Sequence, residues 1–365
     1  MKTIKLKNCK LSDNKIADIL IKDGKIEEIG LSKKADTEID IKNNLIIPGV
    51  IDLHVHFREP GGSHKEDWLT GSCSAAAGGV TTVVDMPNTS PPTIDESTLN
   101  EKRKLAEKSL INFGFYLGAT ANNHGQIKNI KNVAGVKIFA GSSTGDLLVD
   151  HDEDIENLFK VPNIKWAVHA EDEEIIKTNK KNIKEGESNP AIHSLIRSRE
   201  AASRAVERII SLAEKTGANV RICHVSTKEE LDLIREAKKA GIKITCEASP
   251  HHIFLNETKY KSAGNFAKVN PPLRTPGDNN AVWEALLDGT IDVIATDHAP
   301  HSIEEKSKEY PDAPAGLPEI QTSLPLLLNE LNKKKYYFEK IDRDNFCHSR
   351  QTDRPEKQRQ NRKRI

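Results

Sequence analysis

Cysteine is scarce and unpaired in this 365-residue chain. Its five cysteines are Cys9, Cys73, Cys223, Cys246 and Cys347, and no two have Cys-x-x-Cys spacing. An odd, scattered set argues against a disulfide scaffold or a structural zinc finger and for reduced thiols in a cytoplasmic protein. Charge of either sign is not in excess, because 54 Lys and Arg balance 54 Asp and Glu. That balance gives no reason to expect a nucleic-acid-binding surface. No run approaches the roughly 20 apolar residues that cross a bilayer. The N-terminus alternates polar and apolar residues and lacks the apolar core of a signal peptide. A Gly-x-Gly-x-x-Gly turn after an early strand is missing too, which removes the main argument for an open dinucleotide-binding sheet. What remains is a globular chain with no membrane or nucleic-acid partner, long enough for one large α/β domain and a small appendage.

Residues 1–48 contain three short alternating runs, at 3–7, 16–21 and 25–29, separated by turn residues such as Asp23-Gly24. They predict a small antiparallel β domain, sandwich-like in form. From about residue 49 to 333 the texture changes. Apolar β-rich runs recur at 50–57, 81–86, 112–118, 136–140, 165–169, 220–225, 243–247 and 291–296. Amphipathic stretches lie between them, clearest at 194–216 and 228–240. Eight near-continuous apolar strands alternating with helices predict a parallel sheet closed into a (β/α)8 TIM barrel.

The segment from Val50 to Arg58 carries the strongest chemical signal. Read as a strand, it sends Ile51, Leu53, Val55 and Phe57 to one face and Asp52, His54, His56 and Arg58 to the other. Two imidazoles one pleat apart can share a divalent cation, since neutral imidazole is the commonest metal ligand. A lone His-x-His is more often a solvated pair, so the partners downstream decide. Active sites of such barrels form where strands end. Here those ends carry Lys137 among apolar neighbours, then His169, His224 and Asp297. Singly, each has an ordinary explanation as a satisfied polar group or a helix cap. Together they predict a metal centre.

This set and its flanking motifs resemble the amidohydrolase superfamily, and more narrowly the dihydroorotases, over residues 1 to about 332. The carriers are Phe57-Arg58-Glu59-Pro60-Gly61 after the histidine pair, Met86-Pro87-Asn88-Thr89, Asn270-Pro271-Pro272-Leu273-Arg274, and the segment from Ala295 to His301. The resemblance implies two divalent ions, most often Zn2+. His54, His56 and Asp297 would hold the first, and His169 and His224 the second. Lys137, carboxylated by CO2, would bridge them. Some members use an aspartate there, for which Asp146 and Asp150 are the candidates; both lie farther along the loop. Arg58, Asn88 and His301 would clamp a substrate carboxylate, while Asn270 and the backbone at Ala315 and Gly316 would hold the ring. The implied activity is reversible hydrolysis of dihydroorotate to N-carbamoyl-aspartate, the ring chemistry of pyrimidine biosynthesis. Asp297 would carry the proton to the departing ring nitrogen.

Past residue 333 the likeness stops. Residues 342–365 hold eight Lys or Arg against four acidic residues and almost no apolar ones, so 334–365 reads as a basic, disordered tail. Two other functions compete. One is a related cyclic amidohydrolase, such as an allantoinase or a dihydropyrimidinase of hydantoinase type. Those lack the Phe57–Gly61 signature, and Arg58 favours an anionic substrate. The other is a non-catalytic scaffold, which the complete ligand set argues against. A homo-oligomer or an association with another pyrimidine-pathway enzyme is compatible with the sequence.

Overall fold

The computed structural model describes residues 2–30, 34–141, 147–184 and 186–333. Two compact units separate between Gly49 and Val50. Residues 334–365, including the basic run and Cys347, lie outside the described part, as does Asp146.

The first unit is one four-stranded sheet of β1 (Thr3–Lys10), β2 (Ile16–Lys22), β3 (Lys25–Gly30) and β4 (Thr37–Asp40), in the order β3-β2-β1-β4. The three runs read from the sequence form the antiparallel part. Lys22 pairs with Lys25 across a two-residue loop, and Asp23 and Gly24 both take positive φ (49° and 76°) there. Such a loop matches the twist of the strands it joins, which is why an Asp-Gly pair marks it. β4 was not read from the sequence, and it runs parallel to β1. Its four residues are all exposed, so no alternating pattern could announce it. Among the described residues this unit is a single sheet, with no second layer of its own.

The second unit has eight strands, all parallel to their neighbours. They are β5 (Val50–Val55), β6 (Val80–Asp85), β7 (Asn112–Gly118), β8 (Gly135–Phe139), β9 (Lys165–His169), β10 (Asn219–Ile222), β11 (Ile244–Ala248) and β12 (Val293–Ile294). The ring closes between the first and last. His56 N donates to His298 O at 2.8 Å, beside a parallel bridge from Val55 to His298. Asp52 reinforces the seam, accepting from Thr296 N at 3.1 Å and from the Thr296 hydroxyl at 2.5 Å. Burial pushes this carboxyl up to about 6, the Thr296 hydroxyl opposing the shift. Asp52 therefore serves closure, although its side chain shares the row of the two histidines.

Helices connect the strands, as the βαβ pattern requires. The helix Lys228–Lys239 starts on a capping box in which Thr227 and Glu230 satisfy each other's backbone N–H. The helix Arg199–Thr216 starts at Ser198 and ends at Gly217, whose φ of 70° is the left-handed cap that glycine takes without strain. Caps of this kind are worth roughly 1 kcal/mol each. They fix where each strand hands over to its helix, and hence where the side chains at the mouth stand.

Candidate active site

The first histidine pair meets the last strand at the mouth. Asp297 Oδ1 lies 3.2 Å from His54 Nε2 and 3.0 Å from His56 Nε2. The other ring nitrogens are committed elsewhere. His54 Nδ1 contacts Glu247 Oε1 of β11, and His56 Nδ1 lies 2.7 Å from Asn88 Oδ1. Carboxylate and amide oxygens only accept, so each Nδ1 carries a proton, while each Nε2 faces the Asp297 carboxylate. A ring already protonated at Nδ1 meets that oxygen favourably only with a second proton or a cation between them. Burial alone would lower His54, but the Glu247 and Asp297 carboxylates outweigh it and push the ring up to about 10. Burial takes His56 down to about 4. The surrounding imidazoles outweigh burial at Asp297 and hold its carboxyl well below the usual range. The three ligand atoms lie close enough together for one cation.

A second group continues the line inward. Ring centroids run from His56 to His54 at 5.3 Å, to His224 at 5.5 Å and on to His169 at 4.8 Å. His169 Nδ1 and His224 Nε2 are 3.0 Å apart. Burial lowers both rings, and His169 adds to the effect on His224. His224 Nδ1 and His169 Nε2 are buried without a hydrogen bond; the latter lies 3.0 Å from Glu171 Oε2 but out of line for one. Lys137 of β8 is fully buried, its Nζ 3.0 Å from Cys223 Sγ and 5.1 Å from the Phe139 ring. A thiol is a weak acceptor for a group with three donors, so this nitrogen is poorly satisfied as an ammonium. Orphaned imidazole nitrogens beside an under-satisfied amine fit a second cation and a lysine converted to an acid. Asp150 stands apart, its carboxylate 3.8 Å from the exposed His151.

Three residues of the site also carry backbone strain. Arg58, His224 and Asp297 have φ of 61°, 36° and 51°, the left-handed region that non-glycine residues avoid. Each turn redirects a side chain just past a strand end.

One cavity is lined by His56, Arg58, Asn88, Val269, Asn270, Asp297, Ala299, Ala315 and Gly316. Arg58 Nε donates to Pro300 O at 3.0 Å and its Nη2 lies 3.0 Å from His301 Nε2, leaving Nη1 uncommitted among the described residues. Burial, then the Arg58 and Lys65 cations, hold His301 down to about 3. Asn88 acts on His56 through its Oδ1, a role the carboxylate clamp does not include. Asn270 Oδ1 takes a bond from His193 Nε2 at 2.8 Å. Gly316, at φ 144°, leaves no room for a side chain, since a Cβ would lie 2.4 Å from Ala299 O.

Several residues at the site escaped sequence reasoning. Glu247 stands in an apolar run as Lys137 does, and the same signal could have found it. The Lys102–Asp85 pair could not be found that way, because its partners lie on a helix and a strand. Lys102 Nζ is 2.5 Å from Asp85 Oδ2 and donates to Met86 O at 2.6 Å, while Asp85 Oδ1 accepts from Phe57 N at 2.7 Å. This buried pair holds the two chain segments that lead to Arg58 and Asn88. Glu171 is likewise fixed by Arg197, Oε2 to Nη2 at 2.5 Å.

A closed parallel barrel with these groups at its strand ends has the architecture of a barrel hydrolase, and relatives define it further. Residues 43–230 match the family model "Dihydro-orotase-like", more than half of the chain. A dihydroorotase of Methanosphaera stadtmanae is 41% identical over 93% of this chain and 80% of its own length. One from Bacillus cereus is 40% identical over 87% of this chain and 75% of its own. Among solved structures, an L-hydantoinase (dihydropyrimidinase) from Arthrobacter aurescens superposes with a TM-score of 0.89 at 31% identity, covering 95% of this chain and 81% of that one. The chain belongs to the dihydroorotase family.

Proposed function

We propose that this protein is a dihydroorotase, interconverting dihydroorotate and N-carbamoyl-aspartate with two divalent cations, Zn2+ being the expected metal. His54, His56 and Asp297 would hold one cation, and His169 and His224 the other, with carboxylated Lys137 between them. When bound, such a pair of cations polarises a carbonyl and makes water nucleophilic near neutral pH. The remaining work belongs to the chain's own residues. Asp297 accepts the proton that the attacking water loses and delivers it to the departing ring nitrogen. Glu247 and Asn88 hold the His54 and His56 rings with their Nε2 atoms inward. Arg58 offers its free Nη1 to the substrate carboxylate, backed by neutral His301. Asn270, its Oδ1 tied to His193, has Nδ2 uncommitted among the described residues for a ring carbonyl.

The observation that carries this reading is the shared cavity of Arg58, Asn270, His56 and Asp297. A guanidinium beside the acid–base group selects an anion, and dihydroorotate differs from dihydrouracil in carrying a carboxylate. The structural likeness to hydantoinases favours a second reading, hydrolysis of neutral cyclic ureides by the same centre. The test is turnover of dihydroorotate, hydantoin, dihydrouracil and allantoin, each with and without chelator. Chelator-sensitive activity confined to dihydroorotate is expected. Preference for a neutral ring would overturn the assignment, and turnover of none would favour the scaffold.

A further inference from the structure

Two buried lysines near the mouth have no carboxylate to answer them. Lys306, closing the short helix Ile303–Lys306, is 5% exposed, and Lys268, just ahead of Asn270, is 7% exposed. Among the described residues neither has an Asp or Glu within ion-pair distance. Carbonyl oxygens surround them instead. Lys306 Nζ donates to Lys268 O at 3.0 Å, to Pro314 O at 2.9 Å and to Gly316 O at 3.1 Å. Lys268 Nζ donates to Pro311 O at 2.7 Å and Ala313 O at 2.6 Å, and lies 4.6 Å from the centre of the Tyr310 ring.

An ammonium has three N–H groups, and those of Lys306 are all used. A neutral amine has two, and would turn a lone pair toward the third carbonyl. Burying such a charge among neutral acceptors is costly. Burial and the neighbouring Lys268 accordingly pull Lys306 down to about 7. The cost falls on one short loop. Pro314 O and Gly316 O flank Ala315, and both are bound by the same ammonium. Ala315 O lies 3.0 Å from His301 Nε2, and Gly316 N donates to Lys268 O at 2.9 Å. Between Pro314 and Gly316, among the described residues, the backbone donor left without a bond is the Ala315 N–H. Ala315 lines the cavity that holds Arg58 and Asp297.

We propose that Lys306, with Lys268 beside it, is a positioning residue that shapes the 311–316 loop so that the Ala315 N–H is presented to the substrate ring. A hydrocarbon of equal length could fill the space but could not gather three carbonyls. The substrate half of this proposal rests on the dihydroorotase reading; the loop half does not.

The test uses the full chain with Lys306→Met and the milder Lys306→Gln. Losing charge-assisted hydrogen bonds should raise KM for dihydroorotate about 10-fold or more in the Met variant, and less in Gln, which keeps donors. Turnover number and bound metal should stay near wild type, while amide exchange accelerates in the peptide covering 311–317 and not in the barrel strands. Unchanged KM with unchanged exchange would overturn the proposal. So would failure of both variants to fold, or a joint fall of kcat and metal content, since either marks a general structural role. If the wild-type protein itself ignores dihydroorotate, the functional reading fails and exchange alone decides. Acceleration confined to the loop then sustains the positioning role, and uniform exchange ends it.

Discussion

The two halves of the histidine cluster are built on different principles. In the half made of His54, His56 and Asp297, every imidazole has a named oxygen on its outer nitrogen. In the half made of His169, His224 and Lys137, one nitrogen of each ring faces the other, and among the described residues the amine's hydrogen-bond partner is a thiol. The first half is oriented by the protein before any ion arrives, because its ring tautomers are set by Glu247 and Asn88. In the second, His169 Nε2 lies 3.0 Å from Glu171 Oε2 but out of line for a hydrogen bond, and His224 Nδ1 is buried without one. Such an arrangement predicts unequal affinities, with one cation held tightly and the other dependent on the chemistry of Lys137.

The sharpest way to break this contrast is Lys137→Met. Loss of the proposed bridging group should lower turnover by about 10³-fold or more, given several kcal/mol of charge stabilisation from a dinuclear site. Steady-state assays at saturating zinc would measure it, and near-normal turnover would mean that the second half plays no part in the reaction. Arg58→Ala should come next. Truncating one partner of a desolvated ion pair costs roughly 2–5 kcal/mol, read in kcat/KM for dihydroorotate. Zinc content should not change, because Arg58 Nε and Nη2 contact Pro300 and His301 and touch no imidazole of the cluster. Glu247→Gln is aimed at the preorganised half. It should weaken the tighter of two zinc affinities by about 10–100-fold, as removal of an outer carboxylate from a ligating histidine does, and competition with a chromogenic chelator would report it. Asn88→Ala should act in the same direction at the low end of that range, since a neutral amide holds His56 less strongly than a carboxylate holds His54. Equal effects of Glu247→Gln on both affinities would erase the distinction between the halves.

Much of this architecture could be read from the chain. The eight barrel strands are legible because strands covered on both faces read as near-continuous apolar runs, and His54, Lys137, His169 and Asp297 stand out as polar residues where such runs should be apolar. The parallel strand β4 escaped because its four residues are all exposed. What Asn88 and Glu247 do to the histidines escaped for another reason. Asn88 and Glu247 reach His56 and His54 across 32 and 193 positions of sequence. Glu247 carries a local signal, a charge in an apolar run, but nothing local names His54 as its partner, and Asn88 stands out only through the resemblance, which gives it another role. The carbonyl cage around Lys306 is invisible on the same grounds, because its acceptors are backbone atoms that any sequence would supply.

Counting zinc ions per chain in wild-type protein and in Lys137→Met, both saturated with zinc and then desalted, tests the central claim most directly. The account predicts two in the first and at most one in the second. Fewer than one in the wild type, or two retained by the variant, would contradict it.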